Sequence, residues 1–190
     1  MLRVGRWTLD VESSTKTMTN DLTAEEVRTL LHLEPHATCG FVRVTFISNQ
    51  RIAPGGLPAP FLDGRPAGSA LYFMVTPNAP VHLHRIRNDQ LYHRYLGDPI
   101  EVLMLHENGT SERVIVGPDL QAGQCVQLLI PGNTFHTARV IGQRRWFLGA
   151  STEWPGVEKV DVEIGDVETL AAKYPDVADD LRAFQKGSGD

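Results

Sequence analysis

His82, His84 and His136, together with Gln90, are the side chains of this sequence whose types and spacing could do chemistry. In an extended strand, residues two apart point to the same face, so His82-Leu83-His84 would present two imidazoles side by side. A later strand entered through Pro131-Gly132-Asn133-Thr134 would bring His136 to the same place. Imidazole is a good ligand for zinc, copper, iron and nickel, and three of them can hold a catalytic metal with one position left open. The expectation is a mononuclear divalent ion (Fe, Zn, Ni or Mn) on His82, His84, Gln90 and His136. Gln90 offers only a neutral amide oxygen, which leaves a bound dication less well compensated than a carboxylate would. The competing reading is a polar barrel interior whose histidines hydrogen-bond a ligand or water. Tyr72 and Arg43 are expected at the substrate, because a phenol and a guanidinium can orient a carbonyl or carboxylate.

These side chains need a scaffold, and the pattern of the chain supplies one. Residues 1–20 are polar and Ser/Thr-rich and read as a loose arm ahead of one domain over residues 21–190. Thr23-Ala24-Glu25-Glu26 is a capping box; Val27, Leu30 and Leu31 give the helix behind it an apolar face, and Pro35 stops it. Strand pattern follows over 39–48. Four prolines and four glycines then make residues 53–68 a loop, whose length suits a mobile flap over the barrel mouth. Short strands at sandwich or barrel spacing are read over 69–76, 81–86, 90–96, 100–106, 111–116, 125–130, 134–140 and 145–151. Asn108-Gly109 is the strongest hairpin signal among their turns. Two short helices close the chain, one opened by Asp166 and one over about 177–184. The fold class is all-β, a barrel with short N- and C-terminal helices.

Composition excludes several functions. The net charge is −5 without runs of like charge, so the basic stripe that nucleic acid requires is missing. No apolar run approaches the ~18 residues of a membrane span, and the N-terminus lacks the apolar core of a secretion signal. Two cysteines, Cys39 and Cys125, are too few for a disulfide framework and read as buried free thiols. A cytoplasmic protein with a small-molecule partner is expected.

The same residues resemble a known group. Pro35-His36, Gly40 with Arg43, Ala70-Leu71-Tyr72-Phe73, His84-Arg85, Asp89-Gln90, Tyr92-His93 and Gly97-Asp98-Pro99 occur in an order similar to that of the small-cupin family catalogued as a domain of unknown function. Gly117-Pro118-Asp119, Pro155-Gly156, Gly165-Asp166 and Tyr174-Pro175 continue the series, which covers roughly residues 22 to 176. The resemblance implies a cupin fold (a double-stranded β-helix or jelly-roll barrel) and a homodimer. It also draws attention to His93 as a proton carrier near neutral pH, although strand parity sets His93 on the face opposite Gln90. The chain departs from the family with Gln90 in place of the usual Glu, Tyr92 in place of Trp and Asn133 in place of the second-motif glycine. It carries His136 where many relatives have no histidine.

Three functions compete on these residues. The first is non-redox enzyme chemistry (isomerase, epimerase, cyclase or lyase) on an oxygenated organic substrate, possible with or without metal assistance. Arg43 and Tyr72 would polarise a carbonyl while His84 or His93 moves a proton. The second is a mononuclear metal-dependent dioxygenase on three histidines. The third is a non-catalytic binding protein, favoured by the replacement of the usual carboxylate by Gln90.

Overall fold

The first helix, α1 (Ala24–Leu31), starts at the expected capping box: Thr23 Oγ1 accepts the Glu26 N–H, and the Glu26 carboxylate accepts the Thr23 N–H at 2.8 Å. It ends before Pro35 can act. His32 takes the left-handed conformation (φ 53°), and its N–H caps Arg28 and Thr29 carbonyls. The computed structural model describes residues 22–143 and 145–185; the arm read over residues 1–20 lies outside the described residues.

The strands are β1 (Glu34–Pro35), β2 (Phe41–Ile47), β3 (Arg51–Ile52), β4 (Arg65–Pro66), β5 (Ser69–Val75), β6 (Val81–Ile86) and β7 (Asp89–Gly97). Then come β8 (Ile100–Leu105), β9 (Ser111–Val116), β10 (Gln127–Ile130), β11 (Phe135–Val140), β12 (Phe147–Trp154) and β13 (Val162–Ile164), followed by α2 (Val167–Lys173) and α3 (Ala178–Gln185). Six strands form one sheet in the order β1-β2-β5-β12-β7-β10. Five form a second in the order β13-β6-β11-β8-β9. The strand-to-strand pairings within both sheets are antiparallel.

Between the sheets lies the main core, which includes Val42, Phe73, Val81, Tyr92, Ile100, Val102, Ala138 and Phe147. Phe73 and Phe147 are fully buried, each worth about 1.5–3 kcal/mol of transfer free energy. Helix α1 and the turn after it cover the outer face of the six-stranded sheet, packing Val27 and Leu33 with Met74, Trp146 and Leu148. Helices α2 and α3 cover the outer face of the five-stranded sheet through Leu170, Leu181 and Phe184 against Leu83, Leu103 and Leu105.

The segment read as a mobile flap is pinned instead. Strands β3 and β4 pair at its two ends, and Arg65 is fully buried. Its guanidinium donates to both Asp161 oxygens at 2.8 and 2.9 Å and to Asp63 at 2.5 Å. None of residues 53–68 lines the cavity between the sheets. The segment is a buttress for the turn at Lys159–Asp161, and that turn borders the cavity through Glu158 and Lys159.

Candidate functional site

A cavity of about 240 Å³ opens between the sheets. Its wall combines apolar groups (Val44, Leu71, Ile86, Val157, Val162) with His36, Cys39, Ser69, His84, Gln90, Ser151 and Glu153. Pockets for drug-sized ligands run to ~300–1,000 Å³, so this one suits a compact molecule.

His84 is held from below. Strand β6 pairs with β11 so that His84 stands opposite His136, and the two rings lie 4.4 Å apart. His84 Nδ1 is 2.7 Å from the His82 carbonyl. A carbonyl can only accept, so Nδ1 carries the hydrogen and Nε2 keeps the lone pair. Burial, more than any other influence, lowers the His84 pKa to about 4, so the ring is neutral at pH 7.

His136 is engaged on both nitrogens. Nδ1 faces the Thr134 carbonyl at 3.2 Å, and Nε2 accepts from the Tyr92 hydroxyl at 3.0 Å. Burial holds its pKa well below the usual histidine range. The Tyr92 hydroxyl is also in hydrogen-bond contact with the Cys39 thiol, and burial raises that thiol to about 11. In this string His136 and Tyr92 are fully buried and engage each other, while Cys39 reaches the cavity wall.

Glu153 supplies the carboxyl of the cavity. The register of β12 on β7 places it opposite Gln90. Its oxygens accept from the Ser69 hydroxyl at 2.6 Å and from the Ser151 hydroxyl. Burial raises its pKa, and the two hydroxyls oppose that rise. Ser69 Oγ in turn accepts the Val157 N–H at 3.1 Å, so its own hydrogen is committed to Glu153.

The metal set expected from the sequence does not assemble. Between β11 and β6 the register jumps, His136 opposite His84 but Ala138 opposite Val81. That extra residue is a β-bulge, and a bulge breaks the two-residue alternation. Val81 and His84 therefore both face inward, and His82 is absent from the cavity wall. Among the described residues no three His, Cys, Asp or Glu side chains form a group that could hold a metal ion. The His136 lone pair is already taken by Tyr92, and the Glu153 oxygens by two hydroxyls. The donor set does not fit a resident divalent ion.

Three further expectations are misplaced by sheet parity. Arg43 and Tyr72 stand opposite each other in β2 and β5, on the face away from Val42 and Phe73 of the interior. Arg43 donates to the Leu31 carbonyl at 3.2 Å, and Tyr72 packs with the α1 layer. His93, next to inward Tyr92, hydrogen-bonds Thr152 at 2.9 Å and Gln127 at 3.1 Å. None of the three lines the cavity. Conversely, His36, Ser69, Ser151 and Glu153 were missed as site residues. Pro35-His36 was the sequence signal for the first; Glu153 carried none, because only the β7–β12 register brings it to Gln90.

Two facing antiparallel sheets with a cavity between them define a jelly-roll barrel. The chain belongs to the Cupin_5 family of the cupin superfamily (DUF985), whose family model matches residues 25–165. A hypothetical protein from Leishmania major is 25% identical, with 86% of this chain and 98% of that one covered at a TM-score of 0.76. A Shewanella oneidensis protein is 24% identical, with 86% and 97% covered at the same TM-score of 0.76. No curated protein matches the sequence. No helix among the described residues is long and apolar enough to cross a membrane.

Proposed function

We propose that the chain is a small-molecule enzyme acting on a compact oxygenated organic substrate without net oxidation or reduction, by isomerase, epimerase, cyclase or lyase chemistry. The observation that carries this reading is His84: a buried, neutral imidazole in the cavity wall, with a backbone carbonyl holding the hydrogen on Nδ1 so that Nε2 keeps its lone pair, and with Gln90 and Glu153 in the same wall. Its proton-accepting nitrogen is fixed before substrate arrives, and the negative charge that develops on a neighbouring substrate oxygen would offset the burial that otherwise keeps the ring neutral, which lets it act as a general base. No step is routed through a metal, because the donor set does not fit one. Arg43 and Tyr72 take no part, since they lie on the outer face.

Deuterium wash-in from D2O tests this on a panel of hydroxyketones, cyclic ketones and sugars. Wild type should exchange at least one carbon-bound hydrogen, and His84→Gln should slow exchange by about 10²–10⁴-fold while thermal unfolding stays within a few degrees. A panel with no exchange and no turnover overturns the reading. A binding protein without chemistry is the second reading, favoured by the apolar share of the wall; it predicts tight ligands recovered unchanged.

The expected homodimer has support at β2. Strand β1 pairs only with Phe41 and Val42, so beyond Val42 the outer edge of β2 has no neighbour among the described strands. Val44, Phe46 and Ile47 are each more than half exposed there. An exposed apolar edge of this kind is what partner strands or surfaces cover. Val44 and Ile47 also line the cavity, so a second copy on this edge would help to close it. The free cysteines support a reducing, cytoplasmic setting, and nothing in the charge pattern supports a nucleic-acid or membrane partner.

A further inference from the structure

The proposed base leaves the substrate's oxygen without a partner, and the groups expected for that role lie outside the cavity. His36 fills the gap. It stands at the cavity mouth, in the turn that leads from β1 to β2. That turn is tied down by the His36 N–H to the Gly40 carbonyl at 2.8 Å and by the His82 N–H to the Thr38 carbonyl at 2.8 Å. The Gly40 backbone has φ 57°, and a Cβ there would meet the Met74 carbonyl oxygen at 2.4 Å, so only glycine allows the turn its path.

The backbone fixes the tautomer of His36 just as it fixes that of His84, with the opposite result. The Thr38 N–H points at His36 Nδ1 at 3.3 Å, and the Thr38 hydroxyl, which can donate as well as accept, lies 3.2 Å from the same nitrogen. A backbone amide can only donate, so Nδ1 keeps its lone pair and the ring hydrogen sits on Nε2. In His84 a carbonyl holds the hydrogen on Nδ1. One ring therefore has an N–H left to offer and the other a lone pair. Partial burial also lowers the His36 pKa.

We propose that His36 and His84 form a complementary catalytic pair, His84 Nε2 accepting a proton from carbon and His36 Nε2–H donating a hydrogen bond to the adjacent carbonyl oxygen. The substrate class is then an enolisable carbonyl compound, such as an α-hydroxyketone. This rests on the reading of His84 as the base. His84 takes the proton from the carbon next to the carbonyl. The C–H electron pair becomes the new C=C bond, and the carbonyl π pair moves onto oxygen. His36 keeps its proton and stabilises that oxygen, as a neutral imidazole can. The His84 imidazolium then returns the proton to the neighbouring, former carbonyl carbon, the hydroxyl hydrogen on the carbon that gave it up passes to the enolate oxygen as the new carbonyl forms, and no oxidant or reductant is needed.

Long-range ¹H–¹⁵N NMR on the uniformly labelled full chain reads both tautomers directly. The expected result is Nε2–H for His36 and Nδ1–H for His84, with acetohydroxamate, a planar enolate mimic, shifting the ring nitrogens of both. His36→Gln, which keeps an N–H donor, should hold acetohydroxamate within a few-fold of wild type, and His36→Leu should weaken it about tenfold or more. An Nδ1–H His36 beside an Nδ1–H His84, or acetohydroxamate shifting His84 alone, overturns the pair and leaves the base standing. An Nε2–H His84 overturns both. Acetohydroxamate that shifts neither ring overturns the pair.

Discussion

Three buried side chains set the pH response of this protein. His84 has a folded pKa of about 4 against the ordinary histidine value of 6.5, and His136 is held low for the same reason, burial. As pH falls through 6.5, the unfolded chain takes up protons that the folded chain refuses. Stability is therefore complete above pH 6.5 and is lost as pH drops toward 4. For His84 alone the loss is on the order of 3 kcal/mol. Glu153 acts with the opposite sign: its raised pKa favours the folded state as pH falls through the range just above ordinary carboxylates. Its two hydroxyl partners limit that gain, so the histidines decide the outcome. Urea unfolding at pH 7.5 and pH 5 should show a clearly weaker fold at pH 5, with a shallower slope in His84→Gln. Equal stability at both pH values would mean that these imidazoles are not held neutral.

At the scale of elements, one bulge and one ion pair shape the site. The bulge in β6 turns His84 inward beside Val81 and takes His82 out of the cavity wall. Had the strand alternated regularly, His82 and His84 would have stood together and the metal set would have been within reach. The ion pair of Arg65 with Asp161 joins residues 96 positions apart and fixes the turn that carries Glu158 and Lys159 to the cavity. Removing Asp161 leaves buried Arg65 with only the exposed Asp63 and the more distant Glu158 as acidic partners, and breaking a buried pair in this way typically costs about 3–5 kcal/mol. Asp161→Ala should therefore lower the urea midpoint sharply. The double replacement Arg65→Met with Asp161→Leu should recover part of that loss, since an apolar pair leaves no stranded charge. A single variant as stable as wild type would show that the pair contributes nothing.

For the whole molecule, the open question is the β2 edge. If a second copy covers it, Phe46→Glu places a charge in that contact and should weaken self-association about tenfold or more, read by light scattering across a concentration series. A monomeric wild type, or a variant that associates as well as wild type, would remove β2 as the interface. The barrel itself should be unaffected, because the Phe46 side chain is more than half exposed in the single chain.

The division between what the sequence determined and what the tertiary structure decided follows from the range of the forces involved. Helix caps, turns and strand periods depend on neighbours a few residues away. The Thr23–Glu26 box, the Asp166 cap and most strand bounds were accordingly legible. The motif order from Pro35 to Tyr174 was enough for the cupin family and its all-β fold. Parity alone put His93 and Tyr92 on opposite faces. Parity also failed at His82, because a bulge arises from how β6 must meet β11 and not from β6 itself. Arg43 and Tyr72 read as substrate groups until the sheet turned them toward α1. Glu153 became a cavity residue only through its register with Gln90, and His36 only through a turn pinned to Gly40 and Thr38. Which polar groups share a cavity is fixed by contacts between residues far apart in the chain, and local sequence carries no record of them.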